Sequence, residues 1–239
     1  PPPTPTPTPV STSGINGQVR FDGEGLPGVE LGLFLCATDD STDCNPEEDA
    51  PFDATMTDAG GFYNFADEPA LLAGEEYFVF YLNDESGGNP ANDRYLYRWF
   101  GESITDYAGG SRNGGDFEIG EVRLLAPNDD ITAALPLTFE WTARPAAAGE
   151  NYAWQLLDLN TGESVCESAP ATATSFTLDQ AFFDANCGGV ALGVEYGWLV
   201  WAIDGADFDT AGGFGDSYYV GALTFGDGQV RVFMPVVRR

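Results

Sequence analysis

Thr57-Asp58-Ala59-Gly60-Gly61-Phe62-Tyr63-Asn64-Phe65 decides how this chain is read. Asp58 through Gly61 has the composition of a tight turn: glycine takes positive φ at no steric cost, and aspartate bonds its own following backbone. After the turn the pattern alternates, so Tyr63 and Phe65 share one face of a strand. A hairpin that presents both rings to a core is the expectation. The same pattern recurs on either side. Gln18-Val19-Arg20-Phe21, Val29-Glu30-Leu31-Gly32-Leu33 and Tyr77-Phe78-Val79-Phe80-Tyr81 are short runs separated by Gly, Asp, Asn and Pro. Residues 126–226 repeat it with Leu135–Trp141, Tyr152–Leu156, Ser175–Leu178, Tyr196–Trp201 and Tyr218–Phe225. The fold class read from this is all-β.

Composition narrows function by exclusion. The 239 residues hold 38 Asp and Glu against nine basic residues, all of them arginine, for a formal net charge of −29. Without histidine there is no Ser-His or Cys-His nucleophile pair and no side chain that ordinarily titrates near neutral pH. Without lysine there is no Schiff base, no phosphate-loop lysine and no lysine–asparagine crosslink. Five Trp, ten Tyr and 17 Phe exceed what a disordered acidic chain carries, so the charge belongs to a folded surface. That surface repels nucleic acid and anionic lipid, and neither is an expected partner. No apolar run approaches the roughly 20 residues of a membrane helix, so membrane insertion is not expected.

The cysteines fall in two local pairs, Cys36 with Cys44 and Cys166 with Cys187. Three pairings are possible in principle, and the local one is favoured because each pair lies within one candidate domain. A zinc site is the poorer alternative, since no His and no C-x-x-C is present. Two disulfides place the chain in an oxidising compartment, and the expected location is extracellular or at a cell surface.

The organisation expected is two tandem β-sandwich domains with extended tails: a Pro/Thr-rich segment over 1–13, domains over 14–125 and 126–226, and a strand or tail over 227–239. Within the first domain, Gly17-Gln18-Val19, Leu26-Pro27-Gly28-Val29-Glu30-Leu31 and Thr57–Phe65 carry a pattern that resembles the transthyretin-like sandwiches of the carboxypeptidase regulatory-like and collagen-adhesin B-type families. The insertion around Cys36–Cys44 and residues 45–53 departs from the compact form, and the crosslinking lysine is missing. The second domain resembles a fibronectin type III-like domain through Pro127, Phe139 and Trp141, Tyr152 to Leu156, and Tyr196 to Val200. For Trp141, Trp154 and Trp198, core packing is the expected role. These resemblances imply a secreted bacterial surface protein. The tail 227–239 is similar to short apolar tails ending in basic residues on secreted bacterial proteins.

Candidate sites are few. Val230, Val232, Met234 and Val236 alternate beyond the expected last strand, which suits either an intramolecular edge strand or one given to a neighbouring subunit. Tyr95, Tyr97 and Trp99 fall on one strand face in Arg94–Phe100, with Leu96, Arg98 and Phe100 on the other. A subunit interface, a sugar-stacking platform and burial under residues 83–93 are the readings of that segment. Asp204, Asp207 and Asp209 form an acidic loop and a calcium candidate, beside Asp39/Asp40/Asp43 and Asn128/Asp129/Asp130. None matches a known calcium-loop pattern, and solvated loop acids are the plainer reading. The glycine stretches Gly109-Gly110 and Gly212–Gly215 lack the lysine and helix of a phosphate site. No catalytic residue is expected. The function read from all this is a non-enzymatic structural subunit of a surface filament or layer, a homo-oligomer or polymer joined by tail or strand contacts. The alternative is a calcium-assisted module that binds carbohydrate or another surface. A carboxylate-only glycosidase ranks last.

Overall fold

The structure, a computed structural model, describes residues 13–38, 44–83, 94–127, 131–144, 149–218 and 220–226. Eighteen strands and one short helix form among them, and the chain is all-β as expected. The first half supplies β1 (Gly14–Phe21), β2 (Glu24–Gly25), β3 (Glu30–Ala37), β4 (Asp53–Met56), β5 (Phe62–Phe65), β6 (Glu75–Leu82), β7 (Arg98–Gly101), β8 (Ser111–Asn113) and β9 (Phe117–Glu118). The second half supplies β10 (Leu124–Ala126), β11 (Ile131–Ala133), β12 (Leu137–Trp141), β13 (Asn151–Asp158), β14 (Ser164–Glu167), β15 (Ser175–Leu178), α1 (Gln180–Asn186), β16 (Glu195–Ile203), β17 (Gly213–Asp216) and β18 (Gly221–Phe225).

Each half packs two sheets across a core. In the first, β1 pairs antiparallel with β2 and β5 and parallel with β8 and β9. The opposing strands run β4-β3-β6-β7. Leu31 and Leu33 of β3 and Tyr77, Val79 and Tyr81 of β6 share one core with Ile15, Val19, Tyr63 and Phe65. In the second half, β10-β12-β15 faces the strands β14, β13, β16, β18 and β11. The three tryptophans read as core are buried: Phe139 lies 4.6 Å from Trp154 and 5.0 Å from Trp198 between ring centroids, and Trp141 is 3% exposed.

The turn at Asp58–Gly61 forms, with Asp58 Oδ1 accepting from the Gly60 and Phe62 amides and Gly61 at φ +78°. It is not a hairpin, however: β4 pairs with β3 while β5 pairs with β1. The turn carries the chain from one sheet to the other. Buried Thr57 fixes that corner, its hydroxyl donating to the Leu26 carbonyl and accepting from the Val29 amide. The helix α1 is an addition that strand patterning did not signal. Asp179 caps it by accepting from the Phe182 amide, Phe183 is its buried residue, and the Cys166–Cys187 disulfide ties its end to β14. The second disulfide, Cys36–Cys44, is also formed, so both local pairings stand.

The expected boundary at 125/126 falls inside β10, whose Leu124 pairs with Trp141 of β12. More important is the seam between the halves. β17 pairs with β16 on one side and with β7 on the other, in the register Phe214↔Phe100 and Asp216↔Arg98. One ten-stranded sheet therefore runs through both halves. Gly213 and Gly215 make the approach possible. A Cβ on Gly213 would lie 2.6 Å from Trp99 Nε1, and one on Gly215 would lie 2.2 Å from the Arg98 carbonyl. Two glycines of the stretch 212–215 thus leave space for Trp99.

A second joint closes the seam from the core side. Arg144 and Glu150 form an ion pair with side chains 1% and 3% exposed, and Arg144 Nε donates to Glu150 Oε2 at 2.9 Å. The same guanidinium donates to the Glu118 carbonyl of the first half and lies 5.2 Å from the Trp99 ring. Glu121 adds a third link, both carboxylate oxygens accepting from the Tyr218 amide. The first and last strands also run in the same sense. Gly101, which pairs with Gly213 at the start of β17, neighbours Gly114, and Gly114 neighbours Ile15 near the start of β1. Beyond the other end of β1, Glu121 meets Tyr218, and β18 continues away from there to Phe225. The described chain therefore begins at one end of the strand direction and leaves from the opposite end.

Arg144→Met leaves Glu150 as a buried charge without compensation and is expected to cost about 3–5 kcal/mol in denaturant unfolding. Adding Glu150→Leu is expected to recover most of the loss. A single-variant cost below about 1 kcal/mol contradicts a buried pair at this joint.

Candidate functional site

The continuous sheet has a second apolar face. On β3, β6, β7, β17 and β16 the positions between core residues are Phe34, Phe78 and Phe80, Phe100, Phe214 and Trp201. Strand alternation puts them all on the side away from the core. Across the strands the rings touch in sequence. Phe34 stacks on Phe78 at 5.6 Å, Phe80 meets Phe100 at 4.9 Å, Phe100 stacks on Phe214 at 5.1 Å, and Phe214 meets Trp201 at 5.8 Å. This aromatic belt crosses the seam.

One end of the belt is covered. The Cys36–Cys44 disulfide holds the start of residues 44–52 against Phe34 and Phe80, which are each 4% exposed. Glu47 from the same segment reaches Arg98. The other end is open. There Phe78, Phe100, Phe208 and Phe214 line a groove of about 360 Å3, with Phe208 edge-on to Phe214 at 5.2 Å. Glu76, Glu102 and Asp209 line it too, beside Ser103 and Thr210, and no basic residue lines it. Ser103 Oγ donates to Glu76 Oε2. The groove offers flat aromatic faces and negative charge.

Between the covered and open ends sits Arg98. Its guanidinium lies 5.4 Å from the Phe100 ring and 5.2 Å from the Trp201 ring, and its Nε donates to Asp216 Oδ1 at 2.9 Å. One cation thus serves two carboxylates, Glu47 and Asp216. Asp216 is 3% exposed at its side chain. Burial pushes its carboxyl up to about 6, with Arg98 opposing the rise. Glu68, on the first half, is pushed up to about 7 by burial first and then by its hydrogen bond and charge contact with Asp53.

The structure distributes the sequence candidates unevenly. All four cysteines are bonded. Trp99 is 1% exposed and stacked on Phe117 at 5.6 Å, and Tyr95 is 9% exposed and edge-on to Phe21 at 5.1 Å. Both belong to the core. Only Tyr97 of that trio is half-buried, and its amide donates to the Asp216 carbonyl. Strict alternation holds only from Arg98, where β7 begins, so Leu96 is also buried and the three rings do not form one surface. Arg98 and Phe100 are the residues of this segment on the outer face. Asp204, Asp207 and Asp209 share a loop without converging. Asp207 Oδ1 accepts from the Thr210 hydroxyl at 2.6 Å and amide at 2.9 Å, which holds its carboxyl below the usual range. Asp209 lines the groove. Among the described residues no three His, Cys, Asp or Glu gather as metal ligands. Asp39, Asp40, Asp43, Asn128, Asp129, Asp130, Val230, Val232, Met234 and Val236 lie outside the described residues. The groove itself was missed from sequence. Its signal was present as apolar residues in both phases of Tyr77–Tyr81, which a one-faced strand does not have.

No protein-family model matches the chain, and no curated protein matches it. Among the described residues no helix is long and apolar enough to cross a membrane.

The raised Asp216 carboxyl has a testable sign. A folded pKa above the unfolded value means that the folded state binds a proton which the unfolded state releases. Its stabilising contribution is full below the unfolded pKa of 3.8 and is lost as pH rises through about 6. A shift from 3.8 to about 6 corresponds to about 3 kcal/mol. The urea midpoint is expected to rise as pH falls from about 7 to about 5, and Asp216→Asn should reduce that rise, with Glu68 supplying the remainder. A wild-type midpoint that falls over the same interval contradicts this assignment.

Proposed function

We propose that this chain is a non-enzymatic structural subunit of an extracellular filament or surface layer, with copies joined through their tails or strands. The observation that carries the reading is the β7–β17 seam, which makes one unit of two sandwiches. Two tandem sandwiches on a flexible linker bend under load. Two that share a sheet, a buried ion pair and an aromatic belt resist separation. Gly14 and Gly226 lie at opposite ends of the strand direction, which suits head-to-tail addition of identical units. Two formed disulfides suit an oxidising exterior, and the charge of −29 keeps unassembled copies apart.

A binding module is the second reading, and the groove beside Phe100 favours it. Sugar rings stack on aromatic faces, and the nearby carboxylates suit calcium-assisted adhesion.

The experiment is sedimentation velocity on the full chain over a wide concentration range, with and without millimolar calcium, beside a chain ending at Gly226. The expected result is concentration-dependent polymer from the full chain and folded monomer from the shortened one. A full chain that stays monomeric throughout replaces the structural reading with the binding module. A shortened chain that unfolds makes 227–239 an intramolecular strand.

A further inference from the structure

The open groove has a composition that selects its occupant. Four phenylalanines form its walls and three carboxylates its rim, with no cation among the lining residues. A neutral sugar can use the rings but leaves the charges unanswered. A metal ion can use charge but not the rings, and the described residues gather no set of three ligands for one. What suits both is a segment with apolar side chains and guanidinium groups, since arginine stacks on aromatic faces and pairs with carboxylates.

The chain carries one such segment. Arg231, Arg238 and Arg239 lie in Gln229–Arg239, interspersed with Val230, Val232 and Phe233, and no Asp or Glu occurs there. In a chain of net charge −29 this is the basic stretch. We propose that the groove beside Phe100 and Phe214 receives the segment Gln229–Arg239 of a second copy of this chain. This rests on the structural-subunit reading and names the contact that joins the subunits. Arginines of the segment pair with Glu102 and Asp209 at the rim, and its apolar side chains cover the rings of Phe78 and Phe208.

Reach argues for a second copy over the same one. The groove includes Gly213 at the start of β17, while the segment departs beyond Phe225, at the end of β18. Strand rise puts those two points roughly 35–40 Å apart. Residues 227–239, fully extended, span at most about 45 Å. Folding back, a chain brings only its last residues to its own groove and leaves Arg231 and Phe233 short of it. A neighbour placed end to end presents the whole segment.

The test uses the full chain with a photo-crosslinking phenylalanine at position 233, mixing light and isotopically heavy copies so that contacts between copies are distinguished by mass. The expected product joins position 233 of one copy to a peptide containing Phe100 or Phe208 of another. Alongside it, Glu102→Arg with Asp209→Arg, both at exposed positions, is expected to weaken association roughly tenfold or more. Arg238→Glu with Arg239→Glu should weaken it similarly, and the four changes in one chain should restore it. Circular dichroism of each variant checks that the sandwiches stay folded. Crosslinks confined within one copy overturn the proposal. So does polymer whose crosslinks fall on a sheet edge such as β4 or β14, in which case the structural-subunit reading stands without this contact. A full chain that never associates removes that reading and this contact together.

Discussion

The four residue pairs between β7 and β17 are the constraint on which the rest depends. A strand edge leaves its N–H and C=O groups unpaired, and each hydrogen bond that closes it contributes only about 0.5–1.5 kcal/mol net. The larger effect lies in what the pairing covers. Trp99 is enclosed only because Gly213 and Gly215 pass over it without side chains. Asp216 is buried with Arg98 opposite it on the neighbouring strand. Phe100 and Phe214 stack only in this register, and a slip of one residue would turn each to the other face. Separating the halves would expose all of these groups together, so the seam behaves as a core rather than as a docking surface.

Scarce cations reinforce the same point. With 38 acids and nine arginines, most carboxylates have no cation to pair with. Two of the nine are placed at the seam: Arg98 on its outer side, shared by Glu47 and Asp216, and Arg144 on its inner side, paired with Glu150 and the first half's carbonyls. Arg231, Arg238 and Arg239 fall together in residues 229–239. Repulsion along the surface disfavours indiscriminate association, while the groove and the terminal segment carry opposite charge. Under the contact proposed above, electrostatics would favour that contact over the others that the sheet edges permit.

How much of this was legible in the sequence depends on the range of the interaction concerned. Strand identity was local, and the runs at Gln18–Phe21, Tyr77–Tyr81 and Tyr196–Trp201 all lie in strands. The disulfides were legible because both pairs are close in sequence. The turn at Asp58–Gly61 was legible as a turn but not as a passage between sheets, since its flanking strands find partners elsewhere, on β3 and β1. The seam was hidden for the same reason. It pairs residues 98–101 with 213–216, over a hundred positions apart, and the glycines that permit it look like an ordinary flexible loop. The groove was not legible because its walls are far apart in sequence. Phe78 and Phe100 were visible as apolar residues on the wrong face, yet only the seam brings Phe214 and Phe208 beside them. A tyrosine- and tryptophan-rich strand suggests an interface, and here the interface that Tyr95 and Trp99 form is internal.

Amide hydrogen exchange along β7 and β17 is the most direct test of the fused sheet. If the two sandwiches form one unit, amides in Arg98–Gly101 and Gly213–Asp216 will exchange as slowly as those of the central strands β13 and β16, through the same global opening. If those amides exchange within seconds while β13 and β16 stay protected, the halves open independently at the seam, and the single rigid unit described here does not exist.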